Sequence, residues 1–176
     1  MRLVRERRPL IHCITNYVTA ENVADILLAA GASPMMADGL RDVEEAASCS
    51  DGLVLNLGTL NERRAEAVIL AGKKTAARGC PVVLDPVGAG TFRFRLETAL
   101  RILQEVPCTV IRGNASEIRA VTEAVCGCQR AGWESGQTAG WESELAGCRH
   151  GGCGRRIRRG KAAGSGCASH RLSDQG

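Results

Sequence analysis

Short apolar runs alternate with amphipathic stretches over the first 125 residues. The runs Ser33-Pro-Met-Met36, Leu53-Val-Leu-Asn-Leu57, Val82-Val-Leu-Asp85 and Thr109-Val-Ile-Arg112 have the length and side chains of buried strands. The spacing between them predicts helices over Thr19 to Ala30, Asp42 to Ser48, Asn61 to Arg78, Arg95 to Glu105 and Ala115 to Val125. In the first of these, Val23, Ile26, Leu27 and Ala30 recur at helical spacing. Thr19 stands where an N-cap is expected, and Gly31 where a helix stops. Strand–helix–strand units of this length predict an α/β fold with a mostly parallel sheet, flanking helices and right-handed crossovers. Ligands of such sheets bind beyond the carboxyl ends of the strands, so the residues just after each strand carry the candidate chemistry.

Composition divides the chain at Val125. Residues 1–125 hold fifteen basic and fifteen acidic side chains and are neutral, whereas residues 126–176 hold eight and four and supply the whole net charge of +4. The latter stretch also carries twelve of the 21 glycines and five of the nine cysteines, with almost no Val, Ile or Leu to build an element. The expectation is a globular unit over 1–125 and an irregular Gly/Cys/Arg-rich tail over 126–176. Aromatic residues make up 3% of the chain, which disfavours a base-stacking surface for nucleic acid. No apolar run reaches the length of a membrane span, and Met1 to Arg8 lead into Pro9 without a signal-peptide core. A cytoplasmic protein with reduced thiols is expected.

Two strand ends offer phosphate and metal chemistry. Asp85-Pro-Val-Gly-Ala-Gly-Thr91 places an acid before a glycine-rich turn. The acid suits Mg²⁺ or a hydroxyl, and the glycines let backbone N–H groups approach a phosphate; the alternative is an Asp-Pro turn leading into a helix. Arg112-Gly-Asn-Ala-Ser-Glu117 opens a helix, where a guanidinium fork and free N–H groups favour anions. Asn114 and Glu117, three apart, can face one Mg²⁺ or form a capping box. His12 and Cys13 are adjacent and so point apart, which argues against a catalytic dyad. Met35 and Met36 end a strand with soft thioethers, suited to a sulfur-containing ring or to core filling.

Five segments together resemble, in order and spacing, the hydroxyethylthiazole kinase family: His12-Cys-Ile-Thr-Asn16, Gly31-Ala-Ser-Pro-Met-Met36, Leu55-Asn-Leu-Gly-Thr-Leu60, Val83-Leu-Asp-Pro-Val-Gly-Ala-Gly90 and Ile111-Arg-Gly-Asn-Ala-Ser-Glu-Ile118. The resemblance covers about residues 9–125. It implies a ribokinase-like fold and phosphorylation of the hydroxyl of 4-methyl-5-(2-hydroxyethyl)thiazole with ATP and Mg²⁺, in thiamine salvage. It further implies homotrimers with substrate sites between subunits. By position, Met36 and Asn16 match substrate-binding residues. Arg112, with Asn114 beside it, matches the ATP-phosphate ligand, and Asp85 and Glu117 match acids associated with Mg²⁺ and its waters.

The family continues with a strand ending in Val-Thr-Gly and a Gly-Thr-Gly-Cys segment opening a helix, which carry the phosphoryl-transfer groups. Gly164-Ser-Gly-Cys167 echoes that segment, but it follows Arg112 too soon and lacks the strand and helix that would aim it. The sheet is therefore expected to be truncated, the chain inactive as written, and no catalytic residue is assigned. A frameshift accounts for the seam: His170 to Gln175 can be encoded by CAC CGG CTG TCT GAT CAG, and one base later this reads Thr-Gly-Cys-Leu-Ile. The alternative is a non-catalytic α/β remnant whose tail binds zinc through Cys126, Cys128, Cys148, His150 and Cys153, or RNA through the basic run Arg155 to Lys161.

Overall fold

Hydrophobic alternation and short connections build a single parallel sheet, seen in a computed structural model that describes residues 2–130. The elements in chain order are α1 (Arg2–Arg7), β1 (Leu10–Ile14), α2 (Ala20–Ala30), β2 (Ser33–Met35), α3 (Val43–Cys49), β3 (Gly52–Asn56), α4 (Glu62–Ala77), β4 (Val82–Asp85), α5 (Arg93–Glu105), β5 (Val110–Ile111) and α6 (Ala115–Arg130). The strand order is β2-β1-β3-β4-β5, with every neighbouring pair parallel. This is the flanked parallel α/β sheet that the sequence predicts. Cys148, His150, Cys153, the Arg155 to Lys161 run and Gly164 to Cys167 lie outside the described residues, as does the side chain of Cys128.

One strand escapes the pattern reading. Leu10-Ile-His-Cys-Ile14, absent from the predicted strands, is β1 and pairs with both β2 and β3. Its polar centre hides it, yet His12 and Cys13 are both buried. His12 is tolerated there because its Nε2 lies 2.7 Å from the Ala37 carbonyl, which can only accept, so Nε2 carries the proton. Nδ1 is then a buried acceptor with no partner.

Burial holds the His12 pKa below its ordinary 6.5, against the opposing effects of the Ala37 hydrogen bond and the Asp42 charge. Below pH 6.5 the unfolded chain therefore takes up a proton that the native state refuses, until the pH falls below the folded-state value. Stability is expected to fall as the pH is lowered from about 7.5 to about 5.5. Urea midpoints at the two pH values measure it, and His12→Gln is expected to flatten the difference.

Helix ends follow local chemistry with three corrections. Gly31 terminates α2 at φ 90°, and a Cβ there would meet Arg5 Cγ at 2.7 Å, so glycine is required on both counts. Thr19 does not cap α2 with its side chain; its N–H and hydroxyl instead both donate to Asn16 Oδ1, each at 3.0 Å. Helix α5 begins at Arg93 rather than Arg95, and α6 runs past Val125 to Arg130.

The core lies between the sheet and α3, α4, α5 and α6, around Leu53, Leu55, Leu84, Val68 and Ile102. Helix α4 approaches the end of α5 so closely that a Cβ on Gly72 would stand 2.7 Å from Val106 Cγ2. Gly72→Ala should gain about 1 kcal/mol of helix propensity but lose about 1–3 kcal/mol to overpacking. Chemical denaturation is expected to show net destabilisation, reduced when Val106→Ala makes room. Helix α2, by contrast, buries none of its residues, and Ile26 and Leu28 are exposed on it.

Candidate active site

The carboxyl ends of the strands form a continuous polar edge. Parallel register sets Asn56 of β3 beside Asp85 of β4, and Asn56 Nδ2 donates to Asp85 Oδ2 at 3.0 Å. Arg112, just beyond β5, donates to the same Oδ2 through Nη1 at 2.8 Å. On the other side Asn16 Nδ2 donates to Asn56 Oδ1 at 3.4 Å, and the Gly58 N–H reaches that oxygen at 2.9 Å. The chain Arg112–Asp85–Asn56–Asn16 thus joins four strand ends. Asp85 is the charged centre of this edge, and burial raises its pKa from the usual carboxylate value, against the charge of Arg112 and the hydrogen bond from Asn56; the charge of Glu117 pushes the same way as burial. Arg112 keeps 72% of its side chain exposed while Asp85 keeps 9%, so the pair presents a guanidinium to solvent from a buried anchor.

Asn114 and Glu117 form a capping box. The Glu117 N–H donates to Asn114 Oδ1 at 2.9 Å, and the Asn114 N–H to Glu117 Oε2 at 2.8 Å. The other oxygen, Oε1, accepts the Gly88 N–H at 2.9 Å and so ties the glycine-rich turn to the start of α6. That turn is no open phosphate cradle: the N–H groups of Val87, Ala89, Thr91 and Phe92 bond to carbonyls of Asp85, Pro86 and Gly88. Its glycines serve close packing, since a Cβ on Gly90 would stand 2.6 Å from Ser116 Oγ.

Met36 follows β2 and is 42% exposed, which removes the core-filling alternative for its side chain. Its strand lies three strand spacings from β4, about 14 Å, so Met36 is not brought to the Asp85–Arg112 pair. The side chains of His12 and Cys13 do not form a dyad. His12 is turned to Ala37, while the Cys13 thiol contacts the Ile11 carbonyl and is pushed up to about 11 by burial.

Two residues at this edge were missed from the sequence. Asn56 was visible only as a polar residue ending an apolar run; its role depends on its register with Asp85. Arg64 sits in the first turn of α4 and is 3% exposed, with its guanidinium on carbonyls and side chains of the preceding loops. A cation falling on an apolar helix face was the available signal.

The donor set permits a hydrated cation rather than a protein cage. Among the described residues no three His, Cys, Asp or Glu side chains converge as metal ligands. Mg²⁺ commonly takes one or two carboxylates with waters and substrate phosphates, and Asp85 is a carboxylate of that kind, whereas both oxygens of Glu117 already accept backbone N–H groups.

Comparison with known proteins matches the part of the chain that contains this edge. Residues 1–146 match the model of the hydroxyethylthiazole kinase family. The hydroxyethylthiazole kinase of Clostridium tetani is 48% identical over 119 residues, covering 68% of this chain and 43% of that protein. That of Lysinibacillus sphaericus is 48% identical over 133 residues, covering 76% of this chain and 51% of that protein. The structure of hydroxyethylthiazole kinase from Pyrococcus horikoshii superposes with a TM-score of 0.69 at 42% identity, covering 74% of this chain and 51% of that one. The chain spans about half the length, or less, of these curated relatives. The matched stretch contains all five strands and the polar edge that joins them, and on that ground this chain belongs to the hydroxyethylthiazole kinase family.

Proposed function

We propose that this chain carries the N-terminal half of an ATP-dependent kinase that phosphorylates the hydroxyl of 4-methyl-5-(2-hydroxyethyl)thiazole in thiamine salvage. The observation that carries this reading is the Arg112–Asp85 pair at the carboxyl edge of the sheet. Arg112, anchored through one nitrogen, offers its remaining donors to an ATP phosphate, and Asn114 holds the adjoining helix start. Asp85 and Glu117 would orient the waters of Mg²⁺, which supplies charge neutralisation when bound. Asn16 and the exposed thioether of Met36 line the thiazole side. The apolar face of α2 offers a seat for a homotrimer contact.

Residues 1–125 form the working part of this proposal. The family match favours this over a non-catalytic module with a tail for zinc or RNA. Two expected outcomes test it. The full chain should bind MgATP, and Arg112→Ala should weaken that binding about tenfold or more. A chimera of residues 1–125 with the C-terminal half of the Clostridium tetani enzyme should phosphorylate the thiazole alcohol, whereas the chain alone should not. A folded chimera without turnover overturns the reading. Translating the coding DNA beyond Val125 in all three frames tests the frameshift.

A further inference from the structure

Three separate loops at the carboxyl edge of the sheet converge on one buried side chain. Arg64 donates from Nη2 to the Thr15 carbonyl, in the loop after β1. Its Nη1 donates to the Thr59 hydroxyl at 2.9 Å and to the Thr59 carbonyl at 3.4 Å, in the loop after β3. Its Nε lies 3.1 Å from Asp38 Oδ2, in the loop after β2. The Tyr17 ring lies 4.5 Å from the guanidinium carbon, and the Tyr17 hydroxyl donates to Asp38 Oδ2 at 2.9 Å. The Tyr17 N–H closes the circle on Thr59 Oγ1 at 3.3 Å.

Thr59 supplies an independent sign that this arrangement is held under tension. Its φ is 50°, a conformation that β-branched residues rarely adopt and that persists only where the surroundings impose it. Arg64 grips both the carbonyl and the hydroxyl of that residue. The neighbouring backbone has no slack, because a Cβ on Gly58 would stand 2.7 Å from Asn16 Cβ. A 3%-exposed cation is also a poor way to fill a core, where an apolar side chain avoids the desolvation cost. What arginine adds is a rigid fork that satisfies several acceptors at fixed angles, which lysine cannot reproduce.

We propose that Arg64 is the positioning residue of the substrate pocket: a single guanidinium sets the β1–α2, β2–α3 and β3–α4 loops relative to one another, and through them Asn16 and Met36. Asn16 directly follows Thr15, Met36 lies two residues before Asp38, and Thr59 adjoins the Gly58 whose N–H bonds to Asn56. The assignment of the pocket to the thiazole alcohol rests on the function proposed above; the coupling of the loops does not.

Amide hydrogen exchange and thiazole-alcohol binding on the full chain test the two parts. Arg64→Lys is expected to speed exchange about tenfold in residues 15–19, 37–40 and 57–61 together, while the amides of β3, β4 and α5 keep their rates. A change confined to the loop before α4, or an equal rise throughout the sheet, overturns the proposal, the second because it marks a merely structural role. If Arg64→Lys does not fold, Tyr17→Phe, which removes only the hydroxyl on Asp38, should show a smaller rise in the β1–α2 and β2–α3 loops together; unchanged exchange in both overturns it. Calorimetry with the thiazole alcohol should show binding weakened about tenfold in Arg64→Lys, and unchanged affinity overturns the pocket role. If the unsubstituted chain binds no thiazole alcohol, the proposed function fails, and the exchange pattern still decides whether Arg64 couples the loops.

Discussion

Leu55→Ala is expected to lower the free energy of unfolding by about 3–5 kcal/mol, a large share of what a domain of this size possesses. Leu55 lies in β3, the central strand, and is fully buried. Its register partners are Ile14 of β1 and Leu84 of β4, both buried. The three side chains form a row across the middle of the sheet, beneath the helices. Backbone hydrogen bonds on both sides hold β3 in place, so the space left by three carbon atoms cannot close by moving the strand. The loss then includes the cavity as well as the transfer term. Urea denaturation should show a lower midpoint with an unchanged slope, because the surface exposed on unfolding hardly differs. A loss below about 1 kcal/mol would mean that the row repacks.

Glu117→Ala is expected to cost about 3 kcal/mol, and Glu117→Gln about half as much. The carboxylate is almost fully buried and accepts two backbone N–H groups, from Asn114 and Gly88. Alanine leaves both donors without a partner, at about 1–3 kcal/mol for each. Glutamine keeps one accepting oxygen but turns its amide nitrogen toward the other N–H, so only one bond survives. The effect should also be local. Residues 86–91 and the first turn of α6 depend on this side chain, whereas β1 and β2 lie at the other side of the sheet. Exchange rates rising at Gly88 and Asn114 but not in β1 would confirm that locality, and a uniform rise would contradict it. The arrangement also explains how one acid serves two descriptions: it caps a helix, and its charge bears on Asp85 at the end of β4.

Most of the fold was legible because apolar periodicity reports burial directly. The strands ending at Asp85 and at Ile111, and the helices packed on them, are long enough or apolar enough for their pattern to be plain. Strand β1 was not, because a histidine and a cysteine occupy its centre, and only the Ala37 carbonyl across the loop makes the histidine acceptable there. Thr19 illustrates the same limit on a smaller scale. It is a good cap by composition, but Asn16 Oδ1 lies within reach of its hydroxyl and takes it.

Sequence by itself determined the α/β class, the parallel order of strand and helix units, the family resemblance and the six candidate residues Asn16, Met36, Asp85, Arg112, Asn114 and Glu117. These follow from local periodicity and from residue types at strand ends, which a linear chain displays. Only the tertiary structure decided how the candidates are grouped. Strand register put Asn56 beside Asp85, order within the sheet kept Met36 apart from that pair, and the approach of α4 to three loops made Arg64 a common partner. Such relations depend on distances between residues remote in the chain. They arise when packing brings strands and helices together, and no local pattern encodes them.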